Sequence, residues 1–269
     1  MSIKITKDII VGEKLLSLAG PCAAESYEIC ARTAEYMKGL CEELDINYVF
    51  KASFDKANRS SVDSFRGPGL DEGLELLAKI KQEFDVPIVT DIHERCQAKA
   101  IAQVADIIQI PAFLCRQTDL LVAVGETGKV INIKKGQFVA PEDMINAINK
   151  VRSTGNENIM LCERGSTFGY HNLVVDMRSF PIMKAMGIPV VFDATHSVQR
   201  PGGLGTSSGG DREYIAPLAR AAAGAGIDAL FTEVHPNPDD AKCDGPNSLD
   251  FKGAREVLTS VKAIYELTR

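Results

Sequence analysis

Residues 47–91 read NYVFK-ASFDKANRSSVDSFRGPG-LDEGLELLAKIKQEF-DVPIVTD, and the way this stretch divides decides the fold. Asn47–Lys51 is an apolar run too short for a helix and of the right length for a buried strand. In Leu70–Phe84 the apolar positions Leu70, Leu74, Leu77, Ile80 and Phe84 fall on one helical face. Pro87–Asp91 is a second short apolar run. The stretch is therefore strand, loop, helix, strand. Between the first strand and the helix, Lys51, Lys56, Asn58, Arg59 and Arg66 crowd into one loop. Cations converging from a strand end and its loop suit an anion such as phosphate, against the plainer alternative of a solvated basic loop.

The same unit recurs outward in both directions. Leu15–Ala19 precedes it, and Asp106–Ile110, Val130–Lys134, Asn158–Cys162, Pro189–Asp193 and Asp228–Glu233 follow. Helical periodicity is read over Ser26–Leu44, Arg212–Gly224 and Ser248–Arg269, and Pro141-Glu142-Asp143 opens another helix with acids in its first turn. Strand and helix in alternation imply a parallel sheet with right-handed crossovers. Eight such units in 269 residues predict an α/β fold, a (β/α)8 TIM barrel formed by residues 1–269 as one domain. A doubly wound open sheet would carry Gly-x-Gly-x-x-Gly after its first strand, and Ala19-Gly20-Pro21-Cys22 is not that. The leading Ile3–Lys14, with turn residues at Lys7-Asp8 and Gly12-Glu13, is expected to form a short hairpin capping the barrel floor.

Composition narrows the partners. The chain is 45% hydrophobic and 25% charged, with net charge −6 and a pI near 5.4. An acidic chain without a basic block is a poor nucleic-acid binder, so its important cations should serve a small anion. No apolar run is long enough to span a bilayer, and the N-terminus does not read as a signal peptide. A cytoplasmic protein is expected. Seven cysteines without a Cys-x-x-Cys pair argue against a disulfide framework. Cys30 and Cys41 read as buried helix thiols.

In such a barrel the active site lies at the C-terminal strand ends. Those ends supply Cys22 and Glu25, Lys51, Asp91 and His93, Gln109, Lys134, Glu163 and Arg164, Asp193 and His196, Glu233 and His235. Lys51, Lys134 and Arg164 come from three strands and should face one mouth. Unpaired cations there are costly, so they require either structural partners such as Glu163 or Asp91, or an anionic substrate. Cys22, His196 and Glu233 come from the first, seventh and eighth strand ends, which become neighbours when the barrel closes. With Asp244 they suit a divalent transition metal, while a buried thiol beside a hydrogen-bonded histidine remains the alternative. Pro201–Gly210, with five glycines in ten residues, is a candidate lid or phosphate cradle.

Several motifs, taken in order, resemble one family: Ala19-Gly-Pro-Cys-Ala-Ala-Glu-Ser26, Phe50-Lys-Ala-Ser-Phe-Asp-Lys-Ala-Asn-Arg-Ser-Ser61, Thr90-Asp-Ile-His-Glu94, Gln109-Ile-Pro-Ala-Phe-Leu-Cys-Arg-Gln-Thr118, Val130-Ile-Asn-Ile-Lys-Lys-Gly136, Cys162-Glu-Arg-Gly165, Phe192-Asp-Ala-Thr-His-Ser197 and Glu233-Val-His-Pro236. The chain resembles 3-deoxy-D-manno-octulosonate 8-phosphate (KDO-8-phosphate) synthases, which are (β/α)8 barrels. The resemblance implies aldol-type condensation of phosphoenolpyruvate with D-arabinose 5-phosphate, with release of phosphate, in lipopolysaccharide synthesis. It implies that Lys51, Lys56, Lys134 and Arg164 hold phosphoenolpyruvate and that Asn58, Arg59 and Ser60 hold the sugar phosphate. Phe113 matches a residue beside phosphoenolpyruvate, with Asp91 and Gln109 lining the pocket. Arg116 matches an arginine that reaches the sugar phosphate from a neighbouring subunit, so a homotetramer is implied. Lys134, Asn58, His196 and Asp244 are the expected catalytic residues. Cys22 matches the branch that binds a divalent metal (Zn, Fe or Mn) through Cys22, His196, Glu233 and Asp244; the metal-free branch has asparagine at the cysteine position.

Three rivals remain at this stage. A DAHP synthase acting on erythrose 4-phosphate carries Lys-Pro-Arg-Thr where this chain has Lys56-Ala-Asn-Arg59. A Schiff-base aldolase would use Lys51 or Lys134. A phosphosugar sensor would bind without turnover.

Overall fold

The computed structural model describes residues 3–202 and 209–269. Strands and helices alternate as β1 (Leu16–Gly20), α1 (Tyr27–Glu43), β2 (Asn47–Lys51), α2 (Leu70–Phe84), β3 (Ile88–Asp91), α3 (Ala98–Val104), β4 (Ile107–Ile110), α4 (Thr118–Gly125), β5 (Val130–Lys134), α5 (Met144–Arg152), β6 (Ile159–Glu163), α6 (Ser179–Lys184), β7 (Val190–Asp193), α7 (Ile215–Gly224), β8 (Ala229–Glu233) and α8 (Phe251–Leu267). The strands close into a barrel in chain order, β8 pairing with β1 in parallel from Ala229 opposite Leu16 to Glu233 opposite Gly20. This is the (β/α)8 barrel that the alternation predicts.

Strand side chains alternate between two cores. Leu16, Leu18, Val49, Val89, Met160 and Phe231 point into the barrel, while Phe50, Ile88, Phe192 and Leu230 face the helices. Both faces are buried, which is why the strands read as continuous apolar runs rather than alternating ones. Each large apolar side chain buried in this way contributes about 1.5–3 kcal/mol. The expected hairpin is present: Ile3–Lys4 pairs antiparallel with Ile10–Val11, and Ile3 and Val11 enter the inner core and plug the barrel floor.

Ser26 caps α1, its hydroxyl accepting from the Ile29 N–H at 3.3 Å, and Asp250 caps α8, accepting from the Gly253 N–H at 2.6 Å. Residues 248–250 were expected within the last helix. They instead extend the barrel rim, since the Leu249 N–H donates to the Glu233 carbonyl and the Leu249 carbonyl accepts from the His235 N–H. The segments at Pro141 and Arg212 each begin with one 3₁₀ turn before the α-helix. The seam between the first and last units is closed outside the barrel by Tyr36 stacked on Phe251, ring centroids 4.1 Å apart, and by Arg255 bonded to both carboxylate oxygens of Glu43.

The basic loop after β2 is anchored at Phe54, which is fully buried and packs where Gly73 of α2 carries no side chain; a Cβ at Gly73 would collide with Phe54. The loop that carries Lys56–Ser60 is thereby held over the C-terminal mouth.

Candidate active site

Alternation along the strands aims Lys51, Asp91, Gln109, Lys134, Asp193 and Glu233 inward at the C-terminal end. They form a charged layer above the apolar interior. Lys51 is fully buried; its ammonium donates to the Cys22 carbonyl at 2.9 Å and to Glu233 Oε1 at 3.0 Å. Lys56 Nζ lies 3.7 Å from the same oxygen. Lys134 donates to Asp193 Oδ2 at 2.5 Å and sits 4.0 Å over the Phe231 ring. Asp91 accepts from Ser53 Oγ at 2.8 Å and Gln109 Nε2 at 2.9 Å, and Gln109 Oε1 accepts in turn from Asn132 Nδ2 at 3.2 Å.

The charges settle one another. Burial alone would raise the carboxyls of Asp91, Asp193 and Glu233, but the surrounding cations outweigh it and hold all three below the ordinary range. The neighbours chiefly responsible are Lys51 and Lys56 for Asp91, His196 and Lys134 for Asp193, and His196 and Lys51 for Glu233. Burial pulls the Lys56 ammonium down, and neighbouring acidic groups push it well above its usual value. Burial pushes the Cys22 thiol up, reinforced by Cys243, so Glu233 and Asp91 carry the effect on Lys56.

Above this layer one pocket opens. Lys51, Lys56, Asn58, Arg59, Ser60, Asp91, Gln109, Phe113, Lys134, Arg164, His196 and Asp244 all line it. Every residue expected to touch substrate is there except Arg116, which is exposed and lines a separate cavity with Phe138 and Met144. Arg66, part of the same basic loop, turns away and pairs with Asp55 through two hydrogen bonds. Of the guanidinium groups lining this pocket, two buried nitrogens have no hydrogen-bond partner among the described residues: Arg59 Nε and Arg164 Nη1. The rest of Arg164 is fixed, Nη2 donating to Gln199 Oε1 at 3.2 Å.

The four expected metal-ligating residues meet at one side of the pocket. Donor atoms of Cys22, Glu233 and Asp244 lie within 4.8 Å of one another. His196 Nε2 is 3.4 Å from Glu233 Oε1 and 3.8 Å from Asp244 Oδ2. Asp244 stands in a left-handed conformation, φ 50°, tolerated by aspartate, with its carbonyl held by the Asn247 N–H and the Ser248 hydroxyl. Among the described residues Glu233 Oε2 is buried without a hydrogen-bond partner, although Oε1 is crowded by Lys51, Lys56 and His196. A partnerless carboxylate oxygen beside a thiol, an imidazole and a second carboxylate fits a divalent cation.

Several contributors were not assigned a role by sequence. Asp193 is the anchor of the site: it bonds Lys134, accepts from the His196 N–H at 2.9 Å, and lies 2.7 Å from His196 Nδ1. Gln199 links Arg164 to Asp244, donating to Asp244 Oδ1 at 3.2 Å. Ser53 and Asn132 complete the Asp91–Gln109 chain. Of the other strand-end polar residues, Glu25, Glu163 and His235 do not line the pocket, while His93 does. Of the glycine-rich segment, Pro201 lines the pocket and Gly209–Gly210 pairs with Gln199–Arg200. Residues 203–208, the centre of the expected lid or cradle, lie outside the described residues.

Comparison with known proteins gives a consistent picture. The model of the DAHP synthetase I family matches residues 1–268. A Fusobacterium nucleatum protein named 2-dehydro-3-deoxyphosphooctonate aldolase is 59% identical over 257 residues, 95% of this chain and 92% of its own length. Proteins of the same name from Desulfatibacillum aliphaticivorans and Francisella tularensis are 57% identical over 263 residues and 55% identical over 258 residues. They cover 98% and 96% of this chain, and 96% and 94% of their own lengths.

Proposed function

The chain belongs to the DAHP synthetase I family, and on that premise we propose that it condenses phosphoenolpyruvate with D-arabinose 5-phosphate to give 3-deoxy-D-manno-octulosonate 8-phosphate and inorganic phosphate. The product belongs to KDO and lipopolysaccharide biosynthesis. Condensation with erythrose 4-phosphate is not favoured, since the relatives over nearly the whole chain carry the octonate name.

The observation that carries the assignment of residues is the pair of partnerless donors, Arg59 Nε and Arg164 Nη1, beside Lys56 and Lys134. Buried donors without partners are costly, and a phosphate or carboxylate removes the cost. We assign phosphoenolpyruvate to the deep end, against Lys51, Lys56, Lys134 and Arg164. The sugar phosphate lies at the outer loop, against Asn58, Arg59 and Ser60, with Phe113 at the lip and Arg116 reaching in from a neighbouring subunit of a homotetramer. Asp91 and Gln109 form the floor.

Held in line, C3 of phosphoenolpyruvate donates its π electrons to the aldehyde carbon of the open-chain sugar, and the aldehyde oxygen takes up a proton. Lys134, held by its hydrogen bond to Asp193, is placed to offset the charge on that oxygen. Water adds at C2 and gives up a proton, a transfer we assign to the pocket-lining His196 and Asp244. The resulting phosphohemiketal breaks its C2–O bond to phosphate as the C2 hydroxyl proton passes to the departing phosphate, forming the ketone and inorganic phosphate. Because phosphoenolpyruvate is already an activated enol, no lysine Schiff base is needed. A divalent metal held by Cys22, His196, Glu233 and Asp244 would supply Lewis acidity and orientation at this end of the pocket.

We place the enzyme in the cytoplasm. Among the described residues no helix is long and apolar enough to cross a membrane. The test is phosphate release from phosphoenolpyruvate with a panel of aldose phosphates. Strong preference for arabinose 5-phosphate is expected, and equal or faster turnover with erythrose 4-phosphate would overturn the assignment.

A further inference from the structure

Two buried charges adjoin the pocket without lining it. Lys135 and Glu163 are each 1% exposed, and Lys135 Nζ lies 3.5 Å from Glu163 Oε1. Their location follows from strand alternation. Lys134 and Arg164 face into the mouth, so their neighbours Lys135 and Glu163 face out, each behind an inward cation on adjoining strands. The strands are in register there, Lys134 opposite Cys162, and the Lys135 N–H donates to the Cys162 carbonyl at 2.8 Å.

Both groups hold backbone that carries pocket residues. Glu163 Oε1 accepts from the N–H of Arg164 at 3.0 Å and from that of Gly165 at 2.6 Å. It therefore fixes the chain where Arg164 leaves the strand and turns through the left-handed Gly165, φ 89°. Lys135 Nζ donates to Ser166 Oγ at 3.0 Å and to the carbonyls of Gly136 and Val139 at 3.3 Å. It thus ties the loop bearing Gln137, a pocket-lining residue, to the segment that follows Arg164. A buried ion pair is a poor source of net stability compared with apolar packing. Its hydrogen bonds here go to the backbone at the bases of two substrate-facing cations.

We propose that Lys135 and Glu163 are positioning residues that set where Lys134 and Arg164 present their charges to phosphoenolpyruvate, an inference that rests on the activity assigned above. The geometry needs the Glu163 oxygen as an acceptor more than it needs the charge. A cation displaced by a fraction of an ångström loses its bonds to a bound anion while leaving the distant sugar-phosphate loop untouched.

The test is direct titration of phosphoenolpyruvate by calorimetry, with steady-state kinetics alongside. Glu163→Ala should raise the phosphoenolpyruvate Kd on the order of tenfold and leave the KM for arabinose 5-phosphate within about twofold. Glu163→Gln, and the doubly neutral Lys135→Met/Glu163→Gln, should recover most of the affinity because the acceptor is kept. If Glu163→Ala does not fold, the comparison is made between Lys135→Met/Glu163→Gln and Lys135→Met/Glu163→Met, in which no charge is stranded. Equal phosphoenolpyruvate affinity across the folded variants, or a loss confined to the fraction of active protein, overturns the proposal. A wild-type enzyme that turns over normally beside unaffected variants overturns this inference alone. A wild-type protein that binds no phosphoenolpyruvate overturns the assigned activity as well.

Discussion

The backbone carbonyl of Lys51 occupies the space that a side chain on Gly20 would fill. β1 and β2 therefore approach closely at the point where Cys22 and Lys51 enter the site, and the Cys22 carbonyl is within 2.9 Å of Lys51 Nζ. Gly20→Ala should force these strand ends apart, costing roughly 1–3 kcal/mol of stability, as overpacking does. Chemical denaturation measures that loss. Phosphoenolpyruvate affinity should fall in the same variant, because Lys51 cannot keep its place.

Arg164 offers one fixed nitrogen and one partnerless nitrogen. Arg164→Lys retains the charge and loses the planar fork. Removing a charge-assisted bond of about 1.5–3 kcal/mol should raise the KM for phosphoenolpyruvate roughly ten- to a hundredfold. The KM for arabinose 5-phosphate should change little, and steady-state kinetics with each substrate varied in turn reads the difference.

Arg116 is exposed and outside the pocket formed by its own chain. If it serves a neighbour, Arg116→Ala should raise the KM for arabinose 5-phosphate and spare phosphoenolpyruvate. Hybrid oligomers made from this variant and Lys134→Ala should regain activity. A fully active monomer in analytical ultracentrifugation would sink the idea.

Chelation should abolish turnover, and a divalent metal should restore it. Elemental analysis of Cys22→Ala should find little bound metal, since the soft thiolate is lost while the hard oxygens remain. Cys22→Asn is expected to keep some activity by offering hydrogen bonds in place of a ligand. Full turnover by wild-type protein shown to be metal-free would reduce Cys22 to a buried thiol.

The barrel strands were legible because burial on both faces leaves uninterrupted apolar runs, and α2 because its apolar face repeats over fifteen residues. The short helices α3, α4 and α6, of seven, eight and six residues, are too brief for a period to stand out, and sequence alone did not delimit them. The pocket cations were legible as types at strand ends. Their partners were not. Nothing near Asn132 announces that it orients Gln109, and Asp193 becomes the anchor of His196 and Lys134 only when β5 and β7 are brought to one mouth. Glu163 was grouped with the mouth by its place at a strand end, whereas the period of two turns it to the back of the wall.

Cys22 and Asp244 are separated by 222 positions along the chain and meet only across the junction of β8 with β1. Closing such a contact carries the entropy cost of a loop that is most of the polypeptide. A ring open at this junction would lack a complete catalytic corner, since Cys22 comes from the β1 side and Glu233 and Asp244 from the β8 side. Any cation or substrate that bridges this junction favours the closed ring over the open one and adds its binding free energy to closure. Thermal unfolding should therefore be most sensitive to ligand concentration at this junction, and amide exchange in β1 and β8 should slow more on ligand binding than exchange in β4.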